Sequence, residues 1–460
     1  MKFLSVGYAR KKEDNNPMNK YNIQFLIILL SSFLVGCSIP QALQRKANKE
    51  IIKQASFQTA HVGISIYDPT TKKYWFNYQG DNYFVPASNT KIPTCYAAMK
   101  YLGDSIPSAY VRDSAGVIYV NPLGDPTFLL AEFSFQPLWD KMRLENRPVV
   151  IDYSTQHVFT PYGSGWSWDD YQEAYLAERS AFPIYGNVVS FLRKNNQLQA
   201  VPSLAMRPPF MNESMMQQLG KGDQFEVKRL LDQNQFSVVA ASRSFRGATI
   251  PFKTTNGVTA FQFLQDTLNK IGINSTVQLS SRKPAGKLIY SIPTDSLLKP
   301  LMHQSDNFFA EQSLLMVSQR LLDRMSDQQL IDTLLKTDFA DLPQQPRWAD
   351  GSGLSRYNLF SPQDFVRILE KMKDQFGMDR IKVIFPTGGE GTLASYYKQE
   401  SGAIYAKTGT LSGVVALSGY LYTKKGKLLL FSTLVNNHRS SSAEIRKQIE
   451  KFLTHIRATY

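Results

Sequence analysis

The chain has 460 residues, 43% of them hydrophobic and 12% aromatic, with a formal net charge of +14. That composition describes a globular body large enough to bury a substantial core, and it argues against disorder. Part of the positive excess sits in Lys2, Arg10, Lys11, Lys12 and Lys20, and the rest forms no dense basic run or aromatic ladder, so nucleic acid is a poor partner.

In chain order, the first readable element is a leader. Asn19 and Lys20 precede an apolar stretch from Ile23 to Val35 that is too short to span a membrane and reads as the hydrophobic part of a signal peptide. It ends in Leu34-Val35-Gly36-Cys37, which resembles a lipobox: residues 1–37 would be removed up to Cys37, whose thiol would carry a lipid anchor to an envelope membrane facing the periplasm. Met18, directly before this leader, is a candidate true start. With Cys37 lipidated, Cys95 is the remaining thiol, so no intrachain disulfide can form and Cys95 is expected in the core.

A helix from Gln41 to Ser56 and strands Val62–Tyr67 and Tyr74–Tyr78 follow. An Ala-rich helical run then leads from Ser88-Asn89-Thr90-Lys91 to a Gly stop at Gly103. Residues three apart are neighbours on a helix surface, so Lys91 sits one turn below Ser88. A serine hydroxyl is a poor nucleophile until a base takes its proton, and a lysine does so only when uncharged. Desolvation and a second cation nearby would lower its pKa, and Lys407 is the obvious cation. Two other Ser-x-x-Lys strings, Ser280 to Lys283 and Ser296 to Lys299, are each followed by proline (Pro284, Pro300), which places neither pair inside a helix.

From Asp104 to about Lys287 the chain is rich in short β-like runs, such as Val149-Val150-Ile151 and Phe236 to Ala241, separated by turn residues. The long stretch between Ser88 and Ser305 reads as one or two β-rich subdomains, residues 104–287, inserted into a core made of 38–103 and 288–460. The core resumes with helices around Ser305-Asp306-Asn307, a triplet that alone would be a helix cap. Next comes an antiparallel meander of Ala403–Thr410, Val414–Thr423 and Lys427–Asn436, then a final helix from Ser442 to Ala458. Antiparallel strands flanked by helices make the class α+β. Lys407-Thr408-Gly409 opens the meander, and strand alternation turns Lys407 and Gly409 to one side, where the glycine would let a substrate backbone approach.

The three strings Ser-Asn-Thr-Lys, Ser-Asp-Asn and Lys-Thr-Gly, in that order, match the signature of β-lactamases and penicillin-binding proteins. Together with Gly124-Asp125-Pro126-Thr127, Gly165 to Asp170, Asp350 to Arg356, Gly391-Thr392-Leu393 and Leu417 to Tyr420, they make nearly everything after the leader resemble the class C low-molecular-mass penicillin-binding proteins, the D-alanyl-D-alanine carboxypeptidase/endopeptidase family. The resemblance implies a penicillin-binding/β-lactamase-like transpeptidase domain that hydrolyses peptidoglycan stem peptides through an acyl-serine and is trapped by β-lactams, with no cofactor and no metal. It makes Ser88 the nucleophile, Lys91 its base, Ser305 the proton relay and Asn307 the group that orients Lys91 and the substrate amide. Lys407 and Thr408, beside Gly409, would hold the terminal carboxylate. The N–H groups of Ser88 and Thr410 would form an oxyanion hole. From the insertion, Asp170 would meet the amino group of the stem peptide's diamino acid, beside Tyr175, with Arg356 a further substrate contact.

The segment between Gly103 and Gly124 looks shorter than the family's, and Phe385 to Glu390 replaces a more apolar string. Among other chemistries, the five scattered histidines form no zinc motif, and no Gly-x-Ser-x-Gly elbow occurs. The nearest rival enzyme is a serine β-lactamase, although no loop with a deacylating glutamate is evident. A catalytically silent wall-binding lipoprotein is the rival from another class.

Overall fold

The computed structural model describes residues 7, 40–154, 156–194, 197–212, 215, 226–239, 247–280 and 285–460. Apart from residue 7, the leader, Cys37 included, lies outside them. Among the described residues no helix is long and apolar enough to cross a membrane.

The core is a five-stranded antiparallel sheet in the spatial order Ile404–Leu411, Val414–Tyr422, Leu428–Asn436, His61–Asp68 and Lys73–Tyr78. The two ends of the chain therefore meet in its middle, from His61 opposite Asn436 to Tyr67 opposite Leu430. Val414–Tyr422 is buried along almost its whole length because helices cover both faces of the sheet. Ala416, Tyr420, Leu430 and Leu434 join one apolar cluster with the helices Lys91–Tyr101 and Pro362–Ile384. Val415, Leu417, Phe431 and Val435 join another with Ile445, Ile449, Phe452 and Ile456 of the last helix, Ser442–Thr459. That helix starts on the side chain of Ser441, which accepts from the N–H of Glu444. The N-terminal helical stretch, α-helical at 40–47 and widening to a π-helical turn at Asn48–Ile52, lies against it through Leu43, Ala47 and Ile51.

Residues between about 105 and 293 build a second body with its own apolar cluster. Its main sheet runs Ser275–Ser280, Val149–Ser154, Val117–Pro122, Ser105–Ser114 and Lys287–Pro293. A three-stranded sheet and a hairpin accompany it. Two of the pairings, Val149–Ser154 with each neighbour, are parallel, which requires crossover connections. The helices Pro137–Glu145 and Val258–Asn269 provide them, so the body is less exclusively β than its sequence reads. The strand Lys287–Pro293, expected to begin the returning core at 288, instead pairs antiparallel with Ser105–Ser114. The strands entering and leaving this body are thus neighbours.

One further expectation is corrected. Ser296, Lys299 and Pro300 all lie within the helix Thr294–His303. The proline removes only the N–H that would bond the carbonyl of Ser296, an exposed residue whose oxygen water can satisfy. Lys299 is exposed too, so this pair is distant from any buried chemistry.

Candidate active site

The site lies where the helices Lys91–Tyr101 and Asn307–Leu322 meet the edge strand Ile404–Leu411. Ser88 sits in a short 3₁₀ turn, Ala87–Thr90, that runs straight into the first helix. Ala87 has φ +48°, and the Thr90 hydroxyl donates to its carbonyl at 2.9 Å, which locks the turn. A loop at 350–353 closes on it from the other side. Gly353, at φ +85°, is required there, because a Cβ would come within 1.9 Å of the Ala87 oxygen.

Lys91 is fully buried, and its Nζ lies 3.1 Å from Ser88 Oγ, 2.6 Å from Asn307 Oδ1 and 2.7 Å from the carbonyl oxygen of Ser352. A neutral amine has two N–H bonds and one lone pair. The two carbonyl oxygens take the two N–H groups, and the lone pair is left for the Ser88 proton. Burial pulls the Lys91 pKa down to about 8, while Asp350, Asp306 and Glu311 pull it back up. Of the two expected causes, desolvation lowers it, whereas the second cation is not among the groups that shift it. Lys407, also fully buried, is held well below the ordinary lysine value by burial first, then by Lys91 and Arg446. Its amine donates to Ser305 Oγ at 2.9 Å and to the Thr408 carbonyl at 2.8 Å.

Ser305 adopts φ +62°, and Asp306 caps the next helix by accepting from the N–H of Phe309 at 2.8 Å. The triplet is therefore both a cap and a carrier of polar groups into the site. Asn307 holds Lys91 with its oxygen and donates from Nδ2 to the backbone carbonyl of Tyr175 at 3.0 Å.

On the edge strand, Gly409 has a different partner from the one expected. A Cβ there would meet the Pro86 oxygen at 2.8 Å and Ala87 Cβ at 3.1 Å, so the glycine admits the nucleophile's own turn rather than a substrate backbone. Thr408 points the other way, into a small recess with Arg446 and Ile449 of the last helix. The Ala406 N–H donates outward to the Pro386 carbonyl at 3.1 Å, and alternation directs the N–H of Thr410 to the same open edge, where Ser88 lies.

A cleft of about 780 Å³ opens over Ser88. Its walls include Asn307, Thr410, Arg356, Asp170, Tyr175 and Trp166, so all three residues expected from outside the main strings face it. The Tyr175 phenol is pushed up to about 12, by desolvation first and then by its hydrogen bond to Asp170. Arg356 donates to the Ser412 carbonyl at 2.8 Å, and Arg446 donates to the Thr410 hydroxyl. Trp166 is an interdomain anchor: its Nε1 donates to Asp350 Oδ2 at 2.9 Å, whereas Trp168 is 72% exposed.

Several contributors were not read from the sequence. Buried Asn89 donates to the Lys407 carbonyl at 2.8 Å and accepts from the Ser418 hydroxyl at 2.6 Å, tying nucleophile turn to edge strand. Asp350 gathers four donors, the N–H groups of Gly353 and Ser355 and the side chains of Asn358 and Trp166, and so shapes the loop that presents the Ser352 carbonyl. Asn89 lay inside the Ser-x-x-Lys string, and Asp350 inside a family string. Position within a motif was the available signal.

A serine hydrogen-bonded to a buried lysine whose pKa is lowered by desolvation, with a second buried lysine and a strand edge beside it, is the arrangement of a serine acyl-transferase of the penicillin-binding type. The chain belongs to the D-Ala-D-Ala carboxypeptidase 3 (S13) family, whose model matches residues 44–456. It is 25% identical to the D-alanyl-D-alanine carboxypeptidase DacB of Haemophilus influenzae, over 90% of this chain and 93% of that one. The crystal structure of penicillin binding protein 4 (dacB) from Haemophilus influenzae superimposes with a TM-score of 0.69 at 21% identity, covering 89% of this chain and 98% of that one. Its complex with a novel β-lactam superimposes with a TM-score of 0.64 at 22% identity, over 87% and 97%. The protein is accordingly a serine-type D-Ala-D-Ala carboxypeptidase, a hydrolase with the α+β penicillin-binding fold.

Proposed function

We propose that Ser88 carries the acyl group, with Lys91 as its base. The observation that supports this best is the match between the buried Lys91 amine and its surroundings: two carbonyl acceptors for two N–H groups, and a lone pair facing Ser88 Oγ at 3.1 Å. In acylation the Ser88 proton passes to Lys91 as Oγ bonds to the carbonyl carbon of the penultimate D-alanine. The N–H groups of Ser88 and Thr410 hold the oxyanion. Collapse breaks the C–N bond, and the leaving D-alanine amine takes the proton that Lys91 received from Ser88, relayed through Ser305, whose hydroxyl the Lys407 amine orients; Lys91 is then neutral again. Water then attacks the ester, giving its proton to Lys91, and Ser88 is regenerated. Lys407 and Thr410 draw the terminal carboxylate to the strand edge, Gly409 keeping that edge close to Ser88, while the Thr408 side chain is turned into the recess with Arg446 and takes no part in that contact.

The cleft's outer wall supports a polymer substrate. Asp170, beside the Tyr175 phenol, meets the amino group of the stem peptide's diamino acid, and Arg356 contacts the same strand of substrate. Peptidoglycan stem peptides are the substrate and β-lactams the inhibitors, trapped on Ser88 as a long-lived ester. Residues 38–103 and 294–460 act as the peptidase domain and 104–293 as the insertion that walls its cleft. The cell envelope is the site of action, and Cys37 is the lipid-bearing residue that anchors the protein there with its body in the periplasm. Labelling by a fluorescent penicillin tests the central claim. Wild type is expected to label and Ser88→Ala to remain dark; equal labelling of the two would overturn it.

A further inference from the structure

Glu311 lies one turn into the helix that begins at Asn307, and it is 1% exposed. No part of the acyl-transfer scheme uses it, yet a single residue separates it from the base. One carboxylate oxygen accepts from the N–H of Ser352 at 2.7 Å, and the carbonyl of that same residue accepts from Lys91 Nζ at 2.7 Å. The other oxygen faces Arg179 Nη1 at 3.4 Å. Arg179 comes from the inserted body, is itself 2% exposed, and is fixed by Asp327 at 2.5 Å and by the Thr160 carbonyl at 2.8 and 3.0 Å. The adjacent Gln312 fastens the same helix to the insertion, donating to the carbonyls of Gly124 and Ser180 and accepting from the Ser180 N–H.

We infer that Glu311 is a positioning residue for the acylation base: it fixes Ser352 by its N–H so that the carbonyl of that residue bonds Lys91, and its negative charge sets how readily Lys91 gives up its proton, with Arg179 of the insertion holding that carboxylate in place. This rests on Lys91 being the base of Ser88. A buried carboxylate is costly unless it is bonded and paired, and the Ser352 N–H and the Arg179 guanidinium supply both. Burial first, then Asp350, push the Glu311 pKa up to about 7, and Arg179 and the Ser352 bond oppose them. The charges that face Lys91 are Asp306 and Glu311 from the Asn307 helix, Asp350 from the loop and Lys407 from the strand. Those facing Glu311 are Asp350, Arg179 and Asp327. Glu311 is thus the member of the set that the insertion reaches with a charged group, Arg179, whereas Asp350 meets the insertion through the neutral indole of Trp166.

The sign follows directly. A negative Glu311 favours the ammonium form of Lys91, so removing that charge lowers the Lys91 pKa. The measurement is the rate of covalent labelling by a fluorescent penicillin as a function of pH, on folded full-length protein. Glu311→Gln keeps an acceptor for the Ser352 N–H without the charge, and its acid limb is expected to move to lower pH by about half a unit to one unit. Glu311→Asp keeps the charge but is a methylene short of Ser352, and should hold the limb near the wild-type position while its plateau falls severalfold. Arg179→Lys keeps a cation and should lie close to wild type in both respects. Superimposable limbs and plateaus for wild type, Glu311→Gln and Glu311→Asp overturn the proposal. So does a loss of thermal stability in both variants with an unmoved pH profile, since a purely structural glutamate gives that result. A wild-type rate with no acid limb at all would instead strike the assignment of Lys91.

Discussion

The floor and the outer wall of the cleft are built on opposite physical terms. On the floor, Lys91, Lys407 and Asn89 are fully buried, and each polar atom described there has a partner at hydrogen-bond distance. On the outer wall, Tyr175 is 46% exposed, Ser167 is exposed and Asp170 is half-buried. Burial resets the proton affinity of the floor's amines, whereas ion pairs formed at the solvent-exposed wall are worth little. Reactivity is therefore assigned to the floor and recognition to the wall, and each can be disturbed without the other.

The sharpest way to break this division is on the floor. Lys91→Met keeps the length of the side chain without its amine, and is expected to slow penicillin labelling by about 10²–10⁴-fold while stem-peptide binding by a Ser88→Ala background protein is unchanged. Gly353→Ala forces a side chain into a left-handed backbone 1.9 Å from the Ala87 oxygen. It should lower stability by more than about 2 kcal/mol, read as a fall in thermal midpoint, and labelling should fall with it. The pH profile offers an intermediate effect. Because Lys91 is lowered to about 8, the labelling rate of wild type should decline as pH drops through that value and the amine takes up a proton, and level off above it. A flat profile between pH 6 and 9 is the outcome that contradicts a lysine base. Asn89→Ala leaves the Lys407 carbonyl and Ser418 without their partner, a cost of about 1–3 kcal/mol in urea unfolding, with a slower labelling rate as the strand loosens from the turn.

The wall yields the smallest effect and the most selective one. Asp170→Asn should raise KM for a stem peptide with a free amino group by a few-fold to about tenfold, in line with about 1 kcal/mol for a solvent-exposed charge pair. Penicillin labelling should stay within about twofold of wild type. An equal loss in both assays would show that wall and floor are not separable.

The same contrast explains what the sequence disclosed. Ser88, Lys91, Ser305, Asn307 and Lys407 were legible because each belongs to a short contiguous string whose chemistry has few alternative uses. The sheet was legible from alternation in the meander, and its strands fall within a residue or two of their expected ends. What escaped was set by tertiary contact. A backbone carbonyl such as that of Ser352 leaves no mark in the amino-acid code, and Glu311 reads as one more polar residue on a helix. Gly409 was given the right property, close approach, and the wrong neighbour. Lys287–Pro293 was assigned to the core because nothing local says which sheet a strand joins. Pro300 was read as a breaker, although a single missing N–H beside an exposed carbonyl does not end a helix already held by Leu297, Leu298 and Leu301 in the core.

The hydrogen bond from Asn307 to Tyr175 joins the amide that bonds Lys91 to main chain, not to a side chain. Mutation can exchange the ring at position 175, and with it the shape offered to an incoming peptide, while the oxygen that steadies the asparagine stays where it is. Such an arrangement lets substrate preference drift across generations with the reaction chemistry left in register.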